Sequence, residues 1–195
     1  MTFVRQTCAG GKMRNILVAV GSGIAGANTD RLADAFIEGA CRAGHIVNKV
    51  FLGGNISGCR GCGACQLGKG CVIDDDMQAA YPLFDECDTL VLASPLYFWT
   101  LSGQIKVFFD RLYAKSREDI YPHKDTALLM TAGDDNENTF DHPIEYYRFI
   151  TSALGWKDIG AYTAGGCKGG PGKHQIDEKH LKAAYEFGRN LPDIQ

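Results

Sequence analysis

NILVAV at residues 15–20 runs directly into the glycine-rich GSGIAGANT at 21–29, and then into DRLADAFIEGACR at 30–42; the order of these three pieces decides the fold. A continuous apolar run this short suits a strand covered on both faces. After the turn, Leu32, Ala33, Phe36, Ile37, Ala40 and Cys41 recur at helical spacing, while Arg31, Asp34, Glu38 and Arg42 face away. Asn28 and Thr29 are expected to cap this helix, and Gly44 to stop it.

The alternation continues outward from that unit. HIVNKVFL at 45–52 reads as a second strand, a helix follows from about Asp75 to Glu86 with Pro82 kinking it, and DTLVLA at 88–93 is a third strand. A helix on Ile105, Phe108, Phe109 and Leu112 leads to TALLMTA at 126–132. A helix on Ile144, Tyr147, Ile150 and Leu154 leads to IGAYTA, and a last helix lies around Leu181, Ala184 and Tyr185. Five strands, each followed by a helix, demand right-handed crossovers and hence a parallel sheet with helices on both faces. The pattern admits both the flavodoxin-like strand order 2-1-3-4-5 and the dinucleotide Rossmann order. In either, ligands gather at the carboxyl ends of the strands, which directs attention to the loops after Val20, Leu52, Ala93 and Ala132.

The 195 residues suffice for one core, and a single domain over residues 1–195 is expected, with 1–13 as a flexible N-terminal extension. A net charge of −3 offers no basic surface for nucleic acid. The opening residues lack the apolar core of a signal peptide and no window is apolar enough for a membrane span, so a cytoplasmic protein is expected. Reducing cytosol disfavours structural disulfides and turns the eight cysteines toward metal or redox roles. Cys8, Cys41, Cys87 and Cys167 are scattered and read as small buried or incidental thiols.

Gly21, Gly23 and Gly26 complete G-x-G-x-x-G, the spacing of a dinucleotide turn. That motif also needs an acidic residue near the end of the second strand, and GHIVNKVFLGGN at 44–55 contains none. Ser22, Asn28 and Thr29, with backbone N–H groups and the helix dipole, favour a monophosphate nest instead. SPLYFWT at 94–100 places Pro95, Leu96, Tyr97, Phe98 and Trp99 straight after an apolar strand, which suits a planar ligand or a subunit interface. TAGDD at 131–135 adds a third strand-end loop.

CRGCGACQLGKGC at 59–71 holds Cys59, Cys62, Cys65 and Cys71 within thirteen residues. Four thiolates so spaced suit a soft metal centre, a four-iron cluster or zinc, or else serve as free redox-sensitive thiols. Zinc is less favoured, because structural zinc sites usually draw ligand pairs from two separated knuckles. The five histidines show no metal spacing and read as surface or incidental. Asp74, Asp75 and Asp76 read as charging the start of the next helix, and GGCKGGPGK at 165–173 as a mobile loop lacking Walker spacing.

GSGIAGANTD at 21–30, CRGCGACQLGKGCVIDDDM at 59–77 and SPLYFWTLSGQIKVFFDRLY at 94–113 together resemble the NADPH-dependent FMN reductase family, in particular its iron–sulfur flavoprotein branch. The resemblance implies an α/β, flavodoxin-like three-layer sandwich with a five-stranded parallel sheet of order 2-1-3-4-5. It implies FMN, its phosphate held by a loop matching Ser22, Ile24, Ala27, Asn28 and Thr29. The ring would lie against Pro95, Leu96, Tyr97, Phe98 and Trp99, bordered by Thr131, Ala132 and Gly133. It further implies NAD(P)H or a protein carrier as electron source, a 4Fe-4S cluster on Cys59, Cys62, Cys65 and Cys71 beside the flavin, and a homodimer or homotetramer. The chain departs from the family in having Gly23 and Ile24 where proline and arginine are common, which removes a cationic phosphate contact. Flavin chemistry needs no side-chain acid or base, so no catalytic residue is assigned. The rival reading is a non-enzymatic electron-transfer or redox-sensing protein.

Overall fold

A computed structural model describes residues 4–6, 13–118, 120–170 and 172–192. In chain order the elements are β1 (Val4–Gln6), β2 (Asn15–Val20), α1 (Asn28–Arg42), β3 (Ile46–Phe51), α2 (Met77–Glu86), β4 (Thr89–Pro95), α3 (Gly103–Arg111), β5 (Asp125–Thr131), α4 (Asp141–Ala153), β6 (Lys157–Ala164) and α5 (Glu178–Arg189). They form one sheet in the order β1-β3-β2-β4-β5-β6. β2 to β6 are parallel, giving the expected order 2-1-3-4-5 for the parallel strands. The addition is β1, which pairs antiparallel with β3 at the sheet edge. The expected flexible extension thus falls partly on a short edge strand, and its remainder, up to residue 12, lies outside the described residues.

Strand period explains the three layers. On β2, Leu17 and Ala19 point to one face and Ile16, Val18 and Val20 to the other, all fully buried. The first face joins Leu90, Leu92, Leu128 and Met130 under Phe84 of α2, Phe108 of α3 and Tyr147 of α4. The second joins Val91, Ala93, Ala127 and Leu129 under Leu32, Phe36 and Ala40 of α1 and Ala184 of α5. Burial on both sides is why NILVAV shows no polar alternation. Each such large apolar side chain contributes about 1.5–3 kcal/mol on leaving water.

Two glycines set the spacing of the second layer. A Cβ at Gly39 would lie 1.9 Å from the Tyr185 carbonyl oxygen, and one at Gly188 would lie 2.1 Å from that of Phe36. The backbones of α1 and α5 therefore touch, a closeness that any side chain at either position would forbid.

The polar edge of the sheet is segregated from its functional edge. At the amino ends of the strands, buried Arg14 reaches Asp125 Oδ2 at 2.8 Å and Thr89 Oγ1 at 2.7 Å, and donates to the Pro192 carbonyl. This fixes the chain after α5 beneath the sheet and leaves the carboxyl ends open for loops.

Candidate functional site

Helix α1 starts differently from the sequence expectation. Its N-cap is Ala27, with no side-chain cap, so Asn28 and Thr29 are the first helical residues and their side chains are released for other partners. Thr29 Oγ1 meets Thr131 Oγ1 of β5 at 2.6 Å, and Asn28 Nδ2 donates to the Lys168 carbonyl at 2.8 Å. Asp30 stabilises the turn instead, accepting the Gly26 N–H at 2.8 Å, while Lys49 neutralises its other oxygen at 2.7 Å. Ser22 Oγ accepts the Ile24 N–H and donates to the Ile24 carbonyl, which curls residues 22–24 into a tight turn.

The neighbouring strand ends are laced into one wall. The Leu96 N–H donates to the Thr131 carbonyl at 2.8 Å, that of Ala132 to Ala164 at 2.9 Å, and that of Cys167 back to Ala132 at 2.9 Å. Ser94 Oγ accepts the Ser102 N–H at 2.8 Å, anchoring both feet of the aromatic loop. Between these walls lies a cleft of about 700 Å³, within the usual range for a cofactor site.

Eleven of the thirteen residues expected at a flavin line this cleft: Ser22, Ile24, Ala27, Asn28, Thr29, Pro95, Leu96, Tyr97, Thr131, Ala132 and Gly133. Phe98 and Trp99 do not. They stand 93% and 70% exposed at the tip of a two-residue hairpin closed by reciprocal Tyr97–Thr100 backbone bonds. Their φ values, 47° and 59°, have the signs of a type I′ turn, a conformation usually left to Asn and Gly.

Four further lining residues, Cys167, Gly169, Gly170 and His174, come from the segment after β6. The strand-end rule points there as well, but glycine-rich composition reads as a plain loop. Nor are the histidines uniformly incidental: His174 lines the cleft, and His45 and His180 are buried. His180 Nε2 lies 3.1 Å from the Gly165 carbonyl, which can only accept, so this nitrogen carries the proton. Nδ1 then receives the Tyr162 hydroxyl at 2.8 Å. Helix α5 thereby fixes the start of the cleft's last segment.

The donor set fits a sugar phosphate. First-turn amides of α1 have no intrahelical partner and face the turn as anion donors. Asn28 Oδ1 is buried without a hydrogen-bond partner, and because its Nδ2 is committed to Lys168 the amide cannot simply flip. This oxygen calls for a donor, which a polyol hydroxyl supplies. Pro95, Leu96 and Tyr97 provide an apolar side for a ring.

The cysteine segment lies elsewhere. None of Cys59, Cys62, Cys65 or Cys71 lines the cleft. Gln66 donates to the Tyr113 carbonyl, past the far end of α3, so the nine residues of that helix, about 13 Å, separate the motif's anchor from the aromatic loop. Gly61, Gly63, Gly68 and Gly70 all take positive φ, from 63° to 78°, and wind the loop tightly. Cys59 and Cys62 are exposed and Cys65 and Cys71 half-buried, all free. As donors they suit a thiolate-bound centre, yet among the described residues no three His, Cys, Asp or Glu side chains converge as metal ligands.

The C-terminal foot of the loop is an ionic clamp. Arg111 of α3 holds both oxygens of Asp75, and Asp75 also accepts the N–H groups of Ser57 and Met77. Asp75 therefore does charge the start of α2, as its sequence position suggested, and gathers the loop as well. Burial would raise the Asp75 carboxyl, but the Arg111 and backbone donors outweigh it and hold it below the usual range. The same contest acts on Cys71: burial opposes the thiolate, while the Ile73 amide, the Tyr81 hydroxyl and Arg111 lower its pKa.

A parallel sheet of order 2-1-3-4-5 between two helical layers, with a cleft at its carboxyl edge, defines the flavodoxin-like α/β class. Residues 14–142 match the model of the NADPH-dependent FMN reductase family, and the chain belongs to that family of flavin oxidoreductases. It is 38% identical over 176 residues to an iron-sulfur flavoprotein of Archaeoglobus fulgidus, covering 85% of this chain and 73% of that one. It is also 32% identical over 118 residues to the iron-sulfur flavoprotein of Methanosarcina thermophila, covering 60% of this chain but only 62% of the relative's length. Among solved structures, an NAD(P)H:quinone oxidoreductase from Methanothermobacter marburgensis superposes with a TM-score of 0.70 at 18% identity, over 91% of this chain and 98% of that one. An FMN-dependent NADH-azoreductase from Bacillus anthracis in complex with FMN gives 0.61 at 13% identity, over 89% and 95%. Likenesses at such identity speak to the fold. Among the described residues, no helix is long and apolar enough to cross a membrane.

Proposed function

We propose that the cleft holds FMN and that the chain passes electrons from NAD(P)H or a protein carrier to an acceptor. The observation carrying this reading is the meeting of eleven residues from three distant strand ends in one cleft. In it the Ser22–Thr29 turn would hold the phosphate, Asn28 Oδ1 would accept from a ribityl hydroxyl, and Pro95–Tyr97 and Thr131–Gly133 would hold the isoalloxazine ring. When bound, FMN supplies both hydride acceptance and one-electron chemistry. The chain's own part is to hold the ring, exclude water from one side and leave the other open to the donor. Cys59, Cys62, Cys65 and Cys71 would hold a 4Fe-4S cluster, for which the density of soft donors and the names of the relatives argue. The protein would act in the cytoplasm as a homodimer or homotetramer.

The test is reconstitution of anaerobically purified protein with FMN, followed by NADH and NADPH oxidation with quinone or dye acceptors, alongside iron and sulfide assays. FMN-dependent turnover is expected. Flavin uptake without turnover on either nicotinamide, together with reduction by a protein carrier, would favour a non-enzymatic electron carrier. The exposed Cys59 and Cys62 thiols are the observation that keeps a redox-sensing variant of that second reading.

A further inference from the structure

Among the described residues, those lining the flavin cleft include no lysine or arginine. The turn from Gly21 to Thr29 carries none either, and Lys49 behind it is committed to Asp30 and Asp34 at 2.7 and 2.5 Å. A phosphate dianion in this cradle would meet backbone amides and hydroxyls but no lysine or arginine among the described residues. Yet a second cavity of about 610 Å³ adjoins the cleft, sharing Gly169 and His174 with it, and its walls bring in Lys168 and Lys173.

These cations sit on a short hairpin clamped to the cradle. Lys168 and Gln175 exchange both backbone hydrogen bonds, at 2.9 and 3.0 Å, and the Lys173 N–H closes on the Gly170 carbonyl at 3.0 Å. The Lys168 carbonyl also takes the Asn28 amide, so the hairpin is tied to the first residue of α1. On that same residue Asn28 Oδ1 is buried and unpartnered; as an acceptor it calls for a ligand hydroxyl, which places the polyol part of a phosphate ester in the cleft next to the hairpin's foot. Neither lysine forms an ion pair among the described residues, and both side chains are exposed.

The geometry points to residues 168–170 and 172–175 as a phosphate-ester subsite, with Lys168 and Lys173 supplying the cationic contacts that the cradle lacks and His174 a ring nitrogen beside them. The inference rests on the flavin reading of the cleft. Two molecules of that chemistry reach the site: FMN through its 5′-phosphate and a nicotinamide dinucleotide through its phosphates. Charge at the rim would replace a charge inside the turn, with free lysines positioned by a folded hairpin rather than by a helix.

The experiment measures FMN and riboflavin affinity of the flavin-free chain by fluorescence quenching at low and high salt, and KM for NADPH, in wild type and in Lys168→Ala/Lys173→Ala. Losing charge-assisted contacts should weaken binding roughly tenfold or more. FMN affinity falling by that factor with riboflavin unchanged, and a shallower salt dependence, assigns the subsite to the flavin phosphate. Unchanged FMN affinity with a similar rise in KM for NADPH assigns it to the dinucleotide. If the variant matches wild type in FMN affinity, salt dependence and KM while still binding flavin, the subsite is overturned and the flavin reading survives. A wild-type chain that binds neither FMN nor riboflavin overturns both.

Discussion

Arg111 and Asp75 form a two-pronged ion pair, Nη1 to Oδ2 at 2.7 Å and Nη2 to Oδ1 at 3.0 Å, with both side chains shielded from water. It joins the C-terminal end of α3 to the segment that follows the four cysteines. Removing one partner would strand the other charge without compensation, at a cost of about 3–5 kcal/mol. Asp75→Asn is expected to lower the melting temperature and expose Cys71 to thiol reagents, whereas FMN affinity should change little. Equal thiol labelling in the variant and wild type would show that the pair does not hold the loop.

The same pair fixes a pH response. Because the folded carboxyl lies below its ordinary value near 3.8, its contribution to stability is complete above the unfolded pKa and is lost as pH falls through the folded one. Denaturant midpoints should therefore decline from about pH 5 downward, and Asp75→Asn should flatten this part of the profile. Parallel profiles for the two proteins would contradict the assignment.

Gly39 and Gly188 allow the backbones of α1 and α5 to touch. Gly39→Ala or Gly188→Ala must separate the helices and should destabilise the fold by about 1–3 kcal/mol, read from urea unfolding. Ordinarily alanine in a helix gains about 1 kcal/mol over glycine, so a stabilised variant would refute the close contact.

Phe98 and Trp99 occupy left-handed backbone and are largely exposed on the subunit. Left-handed φ costs an L-residue about 1–2 kcal/mol. Replacing the pair with Asn-Gly, the residues this turn prefers, should raise the melting temperature of the monomer. If the rings serve an interface between copies, the same change should shift sedimentation toward monomer; a variant with both properties unaltered would leave the two aromatics without a role.

If the four cysteines hold the proposed cluster, changing Cys59, Cys62, Cys65 and Cys71 to serine should abolish iron and sulfide binding, and FMN affinity should stay within about twofold of wild type, since none of the four lines the cleft. Parallel loss of flavin would mean that the loop supports the cleft after all.

A parallel sheet and three strand-end loops were legible because burial on both faces leaves continuous apolar runs, as in NILVAV, and because glycine-rich turns follow them; the pattern admitted two strand orders, and only the family resemblance chose between them. What escaped the sequence was partnership. Asn28 and Thr29 have the chemistry of helix caps, and nothing local reveals that one bonds Lys168 and the other Thr131. β1 is three residues long, too short for any period to register. The segment after β6 is so rich in glycine that it carries no pattern, yet it closes the cleft. The cysteine spacing suggested a ligand set but not its direction, which is set by Gln66 and Arg111.

The bond from Asn28 to Lys168 spans 140 residues. A loop that large closes late, after its entropy has been offset by contacts formed elsewhere. The order of events in biosynthesis follows: the sheet can assemble strand by strand as the chain emerges, but a cradle with both its walls exists only once the segment after β6 has arrived. Flavin capture then reports completion of folding, and refolding followed by flavin fluorescence should lag behind refolding followed by far-ultraviolet dichroism.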